Sequence, residues 1–497
     1  MHFSLAKGLW NYHRWGYPVR DAMPGAELWI WFQKGTANPV QSWKTVSSIL
    51  SGQFCASLNF VDNAVTVQPV MSFRPEGLVD KKSLANHSVF YAAVPHETVC
   101  TENLTPFKKL LPCFAKSGLA SLLSAIHLFN SNYFSMAIDM RSVCRTASLP
   151  CNEPSIELKQ SVSVVLNPPV LFEGKQSWSF YKLFGSSFRE VCPLATSTLV
   201  FVDASRNDSA NPQQFVTPPH RMISQQLLHG GVRRIAVFDL QNLLQNASDS
   251  KPVNIASQYA KEHIYSRDVP PVLYIRRSVT GYGVYSGGIV SRIFNTSPKP
   301  VRVLYMDVIP WYLRIYTHTL KVTAGGRTIR PEKMFYKPAR DRIAPHHLEL
   351  VLLLARNSVT QIEIQFDRSF LKWTEYPPDA NHGVYAGSAI LTARLDSDLN
   401  MTSGPETSAH QYHYVRIHSE SLLIYLPTPD FSMPYNVICL VSTVVSLAFG
   451  PIHNLTTRRA REAAPEAAAG LSLFARIRKY LTKGKNETPN PSPSSST

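Results

Sequence analysis

Short apolar runs separated by polar punctuation fill most of the chain, and their period changes along it. In GAELWIWFQ (25–33), Leu28, Ile30 and Phe32 alternate with Trp29 and Trp31. Both faces are then apolar, which predicts a fully buried strand. Trp43, Val46, Ile49, Leu50 and Phe54 recur at helical spacing over 42–54, and Leu119, Leu122, Leu123, Ile126 and Leu128 do so over 116–129. Residues 1–24 are aromatic, basic and broken by Pro18 and Gly, and read as irregular structure. From about residue 155 the pattern turns to β-branched runs: SVSVVLN (161–167), STLVFVD (197–203), RRIAVFDL (233–240) and VLYIRRSV (272–279). GGIVSRIFN, VRVLYMDVI, LRIYTHTLKVTA, LELVLLLA, TQIEIQFD and VRIHSESLLIYL follow, with Asn, Pro and Gly between them. Strands this dense, without helices between them, predict sandwiches; no fixed repeat supports a propeller.

One stretch breaks the pattern. Met433 to Ile452 is 20 residues without Asp, Glu, Lys, Arg or His. A helix of that length covers a hydrocarbon core of roughly 30 Å at about 1.5 Å per residue. Ser442, Thr443 and Ser446 are tolerated there by bonding a carbonyl one turn back. Pro434 stands at the start, where a missing N–H costs little. Arg458, Arg459 and Arg461 follow, and the positive-inside rule assigns them to the cytosol. A buried core helix or strand pair is the competing reading, and the asymmetric flanks favour the membrane. The expected order is an α+β region (1–155), a β-sandwich region (156–428), the span (433–452) and a basic tail (453–497).

Charge refines this picture. The formal net charge is +16, and residues 453–497 hold eight Lys/Arg against three Glu. No dense basic block or nucleic-acid-binding motif occurs before the span, so no nucleic-acid partner is expected; the tail suits an anionic membrane face. Seven cysteines are present: Cys439 in the span, and Cys55, Cys100, Cys113, Cys144, Cys151 and Cys192 within the first 192 residues, without CxxC metal spacing. Sequons at Asn86, Asn103, Asn207, Asn246, Asn295 and Asn400 precede the span and are the N-glycosylation candidates. Residues 1–10 carry no basic segment followed by an apolar one. A lumenal topology therefore implies that this sequence starts inside a longer precursor; otherwise the topology argument fails.

The search for chemistry yields little. Gly281-Tyr-Gly-Val-Tyr-Ser-Gly287 has the wrong spacing for a phosphate loop, no helix pattern follows, and a hairpin turn is expected. No GxSxG or HExxH occurs. His346-His347, read as a polar turn, and His410 with His413, read as a loop, lack partners at ligand spacing, so no metal or cofactor is expected. Cys100 with His96 is the one nucleophile–base pair to weigh, and a disulfide cysteine is the plainer reading. IPWYLRIYTHTL (309–320) and FLKWTEY (370–376) read as core packing, or else as a docking surface close to the membrane.

GAELWIWFQ, SWKTVSSILSGQFCASLNF, VCTENLTPFKKLLPC, VTGYG, IPWYLRIYTHTL, FLKWTEYPPDANHGVY and LPTPDFSMPYNVICL resemble the PIG-T family of GPI transamidase components, from near residue 8 to about 457. The resemblance implies a type I glycoprotein of the endoplasmic reticulum membrane with a cytosolic tail. It implies a non-catalytic scaffold in the complex that exchanges a C-terminal propeptide for a GPI lipid. The implied partners are a caspase-like protease subunit, multi-spanning subunits, the GPI lipid and the proprotein. An intermolecular disulfide to the protease is implied, and the matching cysteine is Cys100. Cys144 and Cys151, six residues between them, are the best internal pair from spacing, with the remaining pairing open. The prolines and Asn436 of LPTPDFSMPYN are expected to keep an extended polar chain at headgroup depth, placing Pro434, Tyr435 and Asn436 near the GPI lipid. Family members carry a signal peptide and a further lumenal segment in front, so the first domain is expected to be incomplete at its start. The competing classes are a lumenal thiol hydrolase using Cys100 and a cell-surface adhesion ectodomain.

Overall fold

The computed structural model describes residues 1–33, 35–72, 87–111, 113, 117–145, 153–166, 177–204, 213–226, 232–245, 252–261, 271–281, 283–377, 379–395, 414–428 and 432–458. It divides into two compact units, Met1–Thr428 and Pro429–Thr497.

The first unit begins with an antiparallel sheet of β1 (His2–Lys7), β2 (Gly25–Gln33), β3 (His87–Val94), β4 (Tyr133–Cys144) and β5 (Pro154–Val165), in the order β3-β2-β1-β4-β5. β1 is therefore central, where irregular structure was expected. Its six residues hide the signal: Phe3 and Leu5 face the core, while His2 and Ser4 give the opposite face a polar look although it too is buried. β2 is buried on both faces through Leu28, Trp29 and Ile30, as its pattern predicts. The helix Pro39–Phe54 lays Trp43, Leu50 and Phe54 on this sheet, with Ile49 left exposed.

The helix expected over 116–129 is instead a 3-10 turn, Gly118–Leu122, and a short α-helix, Ala125–Phe129. Leu123, at φ −80 and ψ 68, leaves helical geometry between them. All four leucines still reach the core as buried or partly buried side chains and Ile126 is exposed, so periodicity reported burial rather than a continuous helix.

Two three-stranded sheets follow: β7-β10-β9, from β7 (Leu199–Asp203), β9 (Arg221–Gln226) and β10 (Val232–Asp239), and β6-β11-β8, from β6 (Ser177–Ser179), β8 (Gln213–Phe215) and β11 (Ala256–Tyr259). Trp178, Phe180, Phe188, Phe238 and Tyr259 join the core of the first sheet. β5 crosses the expected boundary at 155/156. A disulfide between Cys113 and Cys192, Cα atoms 4.8 Å apart, fastens this segment to the helical layer. Closing a loop of 79 residues limits the unfolded chain by about 4 kcal/mol in the chain-entropy picture.

The sandwich is built from two facing five-stranded sheets. One is β12 (Leu273–Thr280), β13 (Ser286–Asn295), β19 (Ser358–Arg368), β15 (Leu313–Ala324) and β16 (Arg327–Thr328), in that order. The other is β17 (Lys333–Lys337), β18 (His346–Leu354), β14 (Val301–Ile309), β21 (Ile390–Arg394) and β22 (Tyr414–His418). Ile275, Ile293, Val322 and Ile362 of one sheet meet Val303, Leu350, Leu352 and Leu391 of the other. Trp10, Tyr12, Tyr17 and Tyr133 join this core, so the first sheet packs on it. A ribbon of β20 (Val384–Ala386) and β23 (Leu422–Ile424) closes one end.

Inside the sandwich, Arg277 on β12 is paired with Asp307 on β14 at 2.7 Å, and Tyr305 donates to the same carboxylate at 2.8 Å. The two charges are paired with each other, and Arg277 Nη1 also donates to the Gly387 carbonyl at 2.5 Å, although its Nε–H has no acceptor; pairing of this kind is the condition under which an ion pair survives burial.

The second unit contains the helix Ser432–Thr457, longer than the expected 433–452 because it runs on through Pro451. Tyr435–Thr457 has mean hydropathy 1.7 and no buried residue, so the buried-core reading fails. Thr443 Oγ1 donates to the Cys439 carbonyl at 2.7 Å, the expected one-turn bond. Pro434, Tyr435 and Asn436 lie in the first helical turn rather than in an extended segment. Proline is accepted there because the first N–H groups have no intrahelical acceptor.

Candidate functional site

Cys100 caps the helix Thr101–Leu110 at its N-terminus. The local sequence explains the geometry. Asn103, three residues on, returns Oδ1 to the Cys100 backbone N–H at 2.8 Å, half of a capping box. Its Nδ2 donates to the Phe54 carbonyl at 2.6 Å, which fixes this helix to the end of Pro39–Phe54. The Cys100 thiol is half-buried, unpaired, and 3.2 Å from Asn103 Oδ1.

The electrostatics of that thiol are informative. Partial burial and the neighbouring Glu102 carboxylate push its pKa up. These outweigh the pull of a helix N-terminus toward thiolate. A catalytic nucleophile needs the reverse. His96, the candidate base, instead stacks on Tyr385 with ring centroids 5.0 Å apart.

The other cysteines divide clearly. Cys113 and Cys192 are paired, a connection that spacing did not single out because the fold brings 79 residues back on themselves. Cys144 is disulfide-bonded, and Cys151 lies outside the described residues. Cys55 and Cys439 are free and exposed.

The sequons separate by burial. Asn103 is 0% exposed and Asn295 1%, and the Asn295 amide donates to the Lys299 and Ala355 carbonyls at 3.2 and 2.8 Å. In the folded chain both side-chain amides are committed to hydrogen bonds, and their motifs serve capping and turn geometry. Asn86, Asn207, Asn246 and Asn400 lie outside the described residues.

The histidine pair also differs from expectation. His346 and His347 open β18 and are buried, because their strand lies inside its sheet. Burial lowers the His346 pKa to about 4, and its Nδ1 accepts from the Ala339 N–H at 3.1 Å. His347 Nε2 stands 2.9 Å from Glu349 Oε1. Glu349 in turn accepts the N–H groups of Val70, Met71 and Ser72 at 2.7, 2.7 and 2.8 Å. This clasp joins the first half of the chain to the sandwich, and sequence reasoning missed it because its donors are backbone groups. His410 and His413 lie outside the described residues. Among the described residues no group of His, Cys, Asp and Glu is arranged to hold a metal. Gly281 begins the turn of the β12–β13 hairpin at φ 97, as a hairpin rather than a phosphate loop requires.

The family profile described as "Gpi16 subunit, GPI transamidase component" matches residues 1–176 and 168–481. A Homo sapiens protein named GPI-anchor transamidase component PIGT is 42% identical over 471 residues, covering 92% of this chain and 80% of that protein. The GPI transamidase component GPI16 of Saccharomyces cerevisiae is 29% identical over 527 residues, covering 98% and 84%. A Schizosaccharomyces pombe PIG-T homolog is 29% identical over 478 residues, covering 92% and 79%.

Proposed function

The chain belongs to the Gpi16 family of GPI transamidase components, and from that premise we propose that it is the non-catalytic scaffold of the complex. It resides in the endoplasmic reticulum membrane, with residues before the span in the lumen and the arginine-rich tail in the cytosol. It stabilises a caspase-like protease subunit and holds it with the multi-spanning subunits. Cys100 forms an intermolecular disulfide to the protease. The β surface before the span contacts the other subunits, and Pro434, Tyr435 and Asn436 approach the GPI lipid from the first turn of the span.

The observation that carries this reading is the state of Cys100. It is an unpaired, partly accessible thiol on a rigid helix cap, while Cys113, Cys144 and Cys192 are already in disulfides. Its raised pKa speaks against the thiol-hydrolase alternative. The test is a non-reducing gel of the chain immunoprecipitated from cells, beside Cys100→Ser. A higher band containing the protease subunit, lost in the variant, is the expected result. A band unchanged by Cys100→Ser refutes the tether. GPI attachment to a reporter, unaltered by Asn436→Ala, refutes the lipid-proximal role.

A further inference from the structure

The turns at one end of the sandwich form a single apolar surface. β12 ends at Thr280 and β13 starts at Ser286, β14 and β15 meet at 310–312, β17 and β18 at 338–345, and β19 ends at Arg368 before 369–376. The pairings put all four turns at the same end: Leu313 opposes Arg368, Ile309 opposes His346, and Ser286 opposes Asp367. Contacts weld them together. Ser369 N donates to the Tyr312 carbonyl at 2.8 Å, Arg368 N to the Tyr285 carbonyl at 2.7 Å, and Arg342 lies over Trp311 at 4.9 Å. Trp373 is 72% exposed and Phe370 66%, with Val284, Tyr285, Ile343 and Tyr425 also exposed. Lys337, Arg340 and Lys372 are exposed among them.

The path of the chain says what covers this surface. Tyr376 in the same group of turns donates its hydroxyl to the Pro427 carbonyl at 2.5 Å. That bond holds the last residues of the unit at this end. Only residues 429–431 separate Thr428 from the helix Ser432–Thr457, so the tether reaches at most about 14 Å. An apolar helix entering a bilayer so close to this end brings the exposed Trp, Tyr and Phe to interface depth, where amphipathic rings with cationic neighbours are stable.

We infer that the end of the sandwich formed by residues 283–285, 340–343, 370–373 and 425 rests on the lipid surface of the membrane that its own C-terminal helix enters. The loops form an interfacial foot. This goes beyond the scaffold reading and does not depend on the Cys100 tether.

The test places the photoreactive residue benzoylphenylalanine at position 370 or 373 of the full chain in its native membrane, with alkynyl phosphatidylcholine incorporated. Position 359, an exposed valine at the opposite end of β19, is the control. Both test sites are exposed, so the replacements leave the core intact. Several-fold more lipid label at 370 and 373 than at 359 is expected. A protein adduct at 370 and 373 means another subunit covers the surface and overturns the inference. So does equal labelling at both ends, or none at either.

Discussion

Replacing Glu349 by Gln tests whether the clasp between residues 70–72 and the sandwich is a principal lock of the fold. The carboxylate accepts three backbone N–H groups at 2.7–2.8 Å in a buried site, with His347 beside it. Oε2 receives two of them, from Met71 and Ser72. An amide NH2 group in either position loses acceptors and turns a donor toward donors. Hydrogen bonds to a charged acceptor are each worth about 1.5–3 kcal/mol, so losing two costs about 3–6 kcal/mol. The variant keeps the volume of the side chain, so packing does not account for the loss. Hydrogen exchange read by mass spectrometry on peptides spanning 67–72 is the direct assay. A cost of about 3 kcal/mol corresponds to an increase in exchange of about a hundredfold at those amides. Acid should mimic the substitution. Burial alone raises the Glu349 pKa, but the His347 imidazole and the backbone donors outweigh it and the pKa is lowered. The stabilisation is therefore complete above the ordinary carboxylate range and fades as pH falls through the lowered value. Unchanged protection of residues 70–72 in Glu349→Gln would refute the reasoning.

His346 adds a second acid sensitivity: its pKa of about 4, against 6.5 unfolded, makes the fold lose about 2 kcal/mol between pH 7 and 5, and His346→Gln should flatten denaturant midpoints over that window. Arg277→Met strands the buried Asp307 charge and should cost about 3–5 kcal/mol by chemical denaturation, more than the double variant with Asp307→Leu. Gly25→Ala places a Cβ 2.3 Å from the Val94 carbonyl at φ 85, and should lower the melting temperature of the first unit by several degrees. Glycopeptide mapping should find Asn103 and Asn295 unmodified.

The β runs after residue 155 were legible because β-branched residues and turn punctuation act locally: the expected strands from 272 onward recur within a few residues of their predicted bounds, except that VRIHSESLLIYL divides into β22 and β23, which belong to different sheets. The span was legible because bilayer thickness imposes a length on composition. β1 was hidden because its second face is buried by polar contacts, with His2 Nδ1 2.7 Å from Asp139 Oδ1. Periodicity records hydrophobicity, and a buried charged network has none. The Cys113–Cys192 pairing and the Glu349 clasp depend on tertiary return of distant segments, which spacing does not carry. Cys100 was found through resemblance to a family. The structure adds what that resemblance lacked: a reason in Asn103 and Phe54 for the rigidity of its setting.

Tyr12 accepts the backbone N–H of His418, 406 residues away, and Tyr17 bonds Leu273, 256 residues away. During synthesis at about 5–20 residues per second, Tyr12 waits on the order of 20–80 s for its last partner to emerge. His418 is made only 14 residues before the helix that starts at Ser432. The chain therefore meets its membrane anchor at almost the moment it becomes able to complete its core. A nascent chain of this protein cannot close these long-range contacts until its translation is nearly complete.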